Sequence, residues 1–138
     1  MKYAKTGKKK STPVTLTWRA FSKYLRTKEC LETTGNPGYG KCCTCGEIKH
    51  FTELDAGHFI AGRRLGILFD ERGVHIQCAK CNRFQGGRPV EYRDYMLTRY
   101  GQEVIDDLYR LAKIPKGYAD FELKDMRAKY NKQTRELG

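Results

Sequence analysis

The chain has 138 residues and a mass of 16.0 kDa, one domain's worth. Lys and Arg number 27 against 16 Asp and Glu, a net charge of +11, and the apolar fraction of 39% is enough for one modest core. No apolar run is long enough to span a bilayer and none follows the basic first ten residues, so neither a membrane span nor a secretory leader is expected, and a reducing, cytoplasmic setting is.

The charge is unevenly placed. Residues 1–28 hold nine Lys and Arg, among them Lys8, Lys9 and Lys10, and no acid; the other eighteen are nearly balanced by sixteen acids. Residues 1–15 lack apolar periodicity and are expected to be a basic, disordered arm that grips a polyanion by its phosphates, nucleic acid first. A solubilising tail is the alternative. Residues 16–138 then form a single, nearly neutral domain.

A helix is predicted from Thr17 to near Cys30, because Trp18, Phe21 and Leu25 recur at i, i+3 and i+7. Residues 33–40, with three Gly and a Pro, read as a loop. Cys42 to Gly46 reads as a metal knuckle, Phe51 to Ile60 as a strand, Gly62 to Gly66 as an arginine-rich turn and Val74 to Gln77 as a strand. The C-terminal part, about residues 89–137, reads as three helices. Tyr92, Tyr95 and Met96 mark the first, stopped at Gly101. Val104, Ile105, Leu108 and Leu111 mark the second, ending before Pro115. Leu123, Met126 and Tyr130 mark the third, with Asp120 as N-cap. The fold class is α+β.

Cys42-x-x-Cys45 and Cys78-x-x-Cys81 each let a tight turn place two sulfurs about 2.3 Å from one zinc. Two such pairs close a tetrahedral shell, so one structural Zn²⁺ is expected. Disulfides and a redox pair are the alternatives, disfavoured without a secretory leader. Cys43 could stand in for Cys42, but its one-residue gap to Cys45 fits poorly. Cys30 reads as an ordinary thiol.

The 32 residues between the knuckles carry chemistry. His58, at a strand end, can act as a general base near neutral pH. The Asn82 amide oxygen and the Asp55 carboxylate are hard donors for Mg²⁺ or Mn²⁺. Arg63 and Arg64, with Arg83 less favoured, can clamp a phosphodiester. Together these are parts for metal-assisted phosphodiester hydrolysis. Each has a plainer role: Asp55 could cap a turn or pair with an arginine, Asn82 could cap a helix, and His50 reads as a surface residue.

These motifs resemble a known family. Cys42-x-x-Cys45, Asp55-Ala56-Gly57-His58, Phe69-Asp70-Glu71-Arg72-x-Val74-His75-x-Gln77-Cys78-x-x-Cys81-Asn82 and Tyr100-Gly101-Gln102-Glu103 look like the NinG/Rap recombination proteins of lambdoid phages, over residues 40–110. The resemblance implies a zinc-stabilised ββα core of the HNH, or His-Me finger, type: a β-hairpin and helix gripping a catalytic cation. Phage endonuclease VII is similar in placing its active site between two zinc knuckles. On that pattern His58 is the base, Asn82 a cation ligand and branched DNA the substrate.

Two positions depart from the pattern. Gly73 stands where an Asn normally pins the hairpin loop, a task His75 or backbone bonds could take; His75 is also a candidate for contacting DNA. Gly57 stands where a cation ligand commonly precedes the base. Asp55 is the nearest carboxylate, but residues 55 and 58 of a regular strand face opposite ways, so both reach one cation only through a bulge at Gly57. The alternatives are a zinc-stabilised DNA-binding accessory without catalysis and a nuclease indifferent to DNA structure. A homodimer through the C-terminal helices would supply the two sites a junction resolvase wants.

Overall fold

The structure is a computed structural model that describes residues 11–138; of the arm expected over residues 1–15, residues 1–10 with Lys8, Lys9 and Lys10 lie outside the described residues, and residues 13–15 are helical rather than disordered. The fold is α+β, with four helices and two separate two-stranded antiparallel sheets among the described residues.

Helix α1 spans Pro13–Thr34. It starts four residues before Thr17 because Thr12 caps it, its hydroxyl accepting from the Thr15 N–H at 3.1 Å, with Pro13 in the first turn. It runs past Cys30 to Gly35, whose φ of +76° closes the end with an N–H to Leu31 O bond of 2.8 Å. The end of the loop expected over residues 33–40 is instead the start of strand β1 (Tyr39–Lys41), which pairs with β2 (Ile48–His50) around the first cysteine knuckle. Gly40 is required there: a Cβ would stand 2.7 Å from Cys30 Sγ and 2.8 Å from Ile76 Cδ1. A single 3₁₀ turn, Phe51–Glu53, takes the start of the expected strand.

Strand β3 (Leu54–His58) pairs with β4 (Val74–Cys78) in unbroken register from Leu54↔Cys78 to His58↔Val74. A wide, π-type turn, Lys80–Phe84, carries the last cysteine of the second knuckle and Asn82. Helices α2 (Pro89–Arg99) and α3 (Gln102–Ala112) bury Tyr92, Met96, Ile105 and Leu108 with Ile60 and Ile67 in one core cluster. Helix α4 (Asp120–Glu136) is capped at Ala119, not Asp120; the Ala119 N–H donates to Glu122 Oε1 at 2.9 Å.

The main core lies between α1, the two hairpins and α4. Phe21 meets Tyr130 edge-on at 5.1 Å, and the Thr17 hydroxyl donates to Leu123 O at 3.0 Å. The apolar face of α4 is therefore covered by α1 within the chain. Among the described residues no helix is long and apolar enough to cross a membrane.

Candidate functional site

The two knuckles converge. Cys42, Cys45, Cys78 and Cys81 bring their sulfurs within 4.8 Å of one another and could hold a metal ion such as zinc. A tetrahedral shell with Zn–S of about 2.3 Å has edges of about 3.8 Å. Cys45 Sγ and Cys78 Sγ stand 3.8 Å apart, so the donor set suits that ion. Burial would raise the Cys42 thiol, but hydrogen bonds from the Thr44 hydroxyl and from the backbone of Cys45, Cys78 and Thr44 bring it down to about 6. Cys45 is pushed up to about 12, chiefly by burial and then by its closeness to Cys42 and Cys78. That mutual repulsion of thiolates is what a divalent cation relieves. Cys43 is not in the cluster, and its N–H to Ile76 O bond of 2.9 Å ties the first knuckle to β4. Cys30 is fully buried in the main core.

Between the knuckles, β3 has no strand neighbour but β4 among the described residues, so no strand covers its other edge. Leu54, Ala56 and His58 face α1, and Asp55 and Gly57 face the π-type turn. His58 stacks on Trp18 of α1, ring centroids 5.0 Å apart and 21° from parallel. Its Nε2 lies 3.2 Å from the Leu68 carbonyl. A carbonyl only accepts, so Nε2 carries the proton and the neutral ring's free base is Nδ1. Burial lowers the His58 pKa, the Leu68 bond partly opposes this, and the Arg63 charge lowers it further.

Asp55 accepts from Arg83 Nε at 2.9 Å and Nη2 at 2.7 Å, and from Asn82 Nδ2 at 3.0 Å. Burial would raise its pKa, but hydrogen bonds from Arg83 and Asn82 and the Arg83 and Arg26 charges hold it below the usual carboxylate value. Both carboxylate oxygens are thus engaged. The bulge that would bring Asp55 and His58 to one cation does not form, since the register is unbroken. Gly57 instead makes room for a neighbour: a Cβ there would collide with Gln77 Oε1. The Asn82 amide nitrogen is committed to the carboxylate, and its Oδ1 lies over Gly57, 3.2 Å from where a Cβ would sit.

Two clefts meet at Ala56 and Asn82, along the edge of β3 away from β4. One, about 300 Å³, is lined by His58, Gly62, Asn82, Gly86 and Gly87. The other, about 500 Å³, lies toward α1 and takes in Trp18, Ser22, Arg26, Asp55 and Arg83. Arg63 and Arg64 are exposed beside the first cleft and make no salt bridge with the described residues. Arg83 is tied to Asp55 and is not a free cation.

His75 cannot offer its ring to DNA. It is 1% exposed, with Nδ1 2.7 Å from Glu29 Oε2 and Nε2 2.9 Å from Arg72 O. It pins the hairpin loop instead, joined by the Phe59 N–H to Gly73 O bond of 2.9 Å. The Tyr92 hydroxyl accepts from the His75 N–H at 2.9 Å and donates to Gly57 O at 2.6 Å, so α2 bridges two register partners of the hairpin. His50 is exposed, as expected, and bonds Thr52.

Sequence reasoning missed Trp18, Arg26 and Glu29 as parts of the site. Trp18, Ser22 and Arg26 share an i, i+4, i+8 stripe of α1, a signal that was present but read only as helix amphipathicity. Nothing local marks Glu29, whose partner lies 46 residues away.

The fold and the sulfur cluster define a class: small α+β proteins tied by two Cys-x-x-Cys knuckles that could hold a zinc ion. The family profile described as "Bacteriophage Lambda NinG protein" matches residues 2–138, and the chain belongs to the NinG family. Relatives include "Protein ninG" of Escherichia phage 933W, 31% identical over 97 residues, which are 70% of this chain and 47% of that protein. "Protein ninG" of Escherichia phage lambda is 35% identical over 68 residues, 49% of this chain and 33% of that protein. "Protein ninG" of Salmonella phage P22 is 30% identical over 97 residues, 70% of this chain and 47% of that protein. The chain spans about half the length of the curated relatives it matches. No solved structure matches it.

Proposed function

We propose that the protein is a metal-dependent DNA endonuclease whose β3–β4 hairpin and following turn act as an HNH, or His-Me finger, core, and that it cleaves branched recombination intermediates. The observation that carries this reading is that His58 and Asn82 line one cleft, with His58 Nδ1 and the Asn82 amide oxygen left without a hydrogen-bond partner among the described residues. His58 Nδ1 takes a proton from water, which attacks phosphorus in line with the departing 3′ oxygen. The Leu68 carbonyl holds the ring's tautomer and Trp18 its plane. The Asn82 oxygen would hold Mg²⁺ or Mn²⁺, which supplies positive charge at the departing oxygen when bound. One protein oxygen suffices for a first contact, since Mg²⁺ keeps several waters and draws on substrate phosphates. Asp55 orients Asn82 rather than joining the cation, and Arg83 keeps Asp55 ionised. Arg63 and Arg64 position the phosphate. The preference for branched DNA is carried by the family resemblance.

The test is cleavage of a four-way junction and a matched duplex in Mg²⁺ or Mn²⁺ with a chelator control. His58→Ala should lose cleavage while keeping its zinc and its affinity for DNA. Binding without nicking by the wild type would favour the non-catalytic accessory.

A further inference from the structure

We infer that the cleft between α1 and the π-type turn is a second phosphate subsite, with Arg26 as the residue that takes the backbone phosphate next to the scissile one. The anion site stands on the cleft itself; its assignment to the neighbouring phosphate of a cut strand rests on the proposed endonuclease reading.

Arg26 is half-buried on α1, its guanidinium carbon 4.4 Å above the centre of the Phe51 ring, which fixes the plane of the group. Its Nε is satisfied locally, donating to Ser22 O at 3.2 Å and Ser22 Oγ at 3.1 Å. The outer edge is not. Nη1 reaches only the Leu54 carbonyl at 3.5 Å, and Nη2 has no partner among the described residues. The nearby carboxylate of Asp55 cannot fill the gap, because its oxygens already accept three bonds from Arg83 and Asn82. A partly desolvated cation with spare, co-planar donors, lining a cleft of about 500 Å³, is matched by a tetrahedral oxyanion that can take two parallel N–H bonds.

The position fixes which anion. Asn82 and Ala56 line both clefts, so a chain that passes the His58 cleft continues past Asn82 into the Arg26 cleft. Successive phosphates of one DNA strand are the repeating anion that fits this succession. Charge agrees: the Arg26 cleft holds two guanidinium groups against one carboxylate. Arg26 is here a binding residue for the strand, whereas Arg63 and Arg64 flank the other cleft.

The chain's single tryptophan, Trp18, lines this cleft and reports its filling. The test titrates the full chain, in EDTA, with a 5′-phosphorylated deoxytrinucleotide and follows tryptophan fluorescence across a range of salt. Wild type should show a saturable change, and Arg26→Gln should bind about tenfold more weakly with its salt slope reduced by about one counterion. Arg26→Lys should recover part of both. A second arm leaves the protein unaltered and replaces one phosphate of the trinucleotide by a methylphosphonate. One position should weaken wild-type binding and leave Arg26→Gln indifferent. Wild-type affinity and slope in a folded Arg26→Gln, or equal loss at every methylphosphonate position, would overturn the subsite. Because the titration holds no metal, its outcome does not depend on cleavage: a protein that binds in this manner yet cuts no DNA when Mg²⁺ or Mn²⁺ is supplied removes the endonuclease reading and keeps the subsite.

Discussion

The buried Glu29–His75 pair gives the sharpest stability prediction. Their side chains are 4% and 1% exposed, and the carboxylate makes two bonds, to His75 Nδ1 at 2.7 Å and from the Ile76 N–H at 2.9 Å. The ring's other nitrogen lies 2.9 Å from Arg72 O and 3.0 Å from the Tyr100 hydroxyl, so both ends of the ring are tied. Glu29→Ala removes both bonds and leaves a buried ring nitrogen and a buried N–H without partners. Two bonds to a charged group are worth about 1.5–3 kcal/mol each, and breaking a buried pair at one end costs about 3–5 kcal/mol. For a domain of this size that lowers Tm by about 10–20 °C. Glu29→Gln keeps an acceptor for Ile76 and an N–H to face a neutral ring, so its cost should be only about 1–2 kcal/mol. Urea unfolding followed by circular dichroism measures both. A Glu29→Ala cost under about 1 kcal/mol, or equal costs for the two variants, would refute the reasoning.

Two further outcomes follow from the site. Purified protein should carry one zinc per chain by atomic absorption; stripping it with a strong chelator, or Cys78→Ser, should abolish the cooperative melt, since a structural zinc contributes on the order of 10 kcal/mol. A zinc-free protein with an unchanged melt would contradict the cysteine assignment. On the proposed mechanism His58 acts as a neutral base, and its pKa is lowered from 6.5, so the acid limb of the cleavage profile should have its midpoint below 6.5. The same shift acts on stability. The unfolded chain binds this proton first, so the His58 contribution falls as pH drops from 6.5 and levels off below the folded pKa. An acid limb centred above 6.5 would assign the base elsewhere.

The parts of the fold legible in the sequence were those with short-range signals. Spacing alone paired the knuckles, and period-3.6 stripes gave all four helices. The ends of α1 were readable too, in Thr12-Pro13 and Gly35, but apolar periodicity begins inside the cap and was followed instead. The β1–β2 hairpin escaped because three-residue strands carry too little alternation to outweigh the glycines around them. In the proposed site, residue types singled out His58 and Asn82, which line one cleft, and strand parity put Asp55 and His58 on opposite faces, as the unbroken register does. What the sequence could not carry is which partner each group finds. Arg83 and Asn82 are 28 and 27 residues from Asp55, and Tyr100 is 25 from His75. Such pairings depend on how the hairpin, the turn and α2 pack, so the sequence left His75 between a DNA contact and a loop pin, and Asp55 between a cation ligand and an arginine partner.

The central claim is that His58 and Asn82 form one hydrolytic centre. The most direct measurement is single-turnover cleavage of a labelled four-way junction in Mg²⁺ by wild type, His58→Ala and Asn82→Ala, each checked for zinc content and metal-free DNA affinity. The account predicts cleavage by the wild type alone, with both variants slower by at least about 10²-fold and unchanged in binding. Cleavage by His58→Ala at the wild-type rate would contradict it.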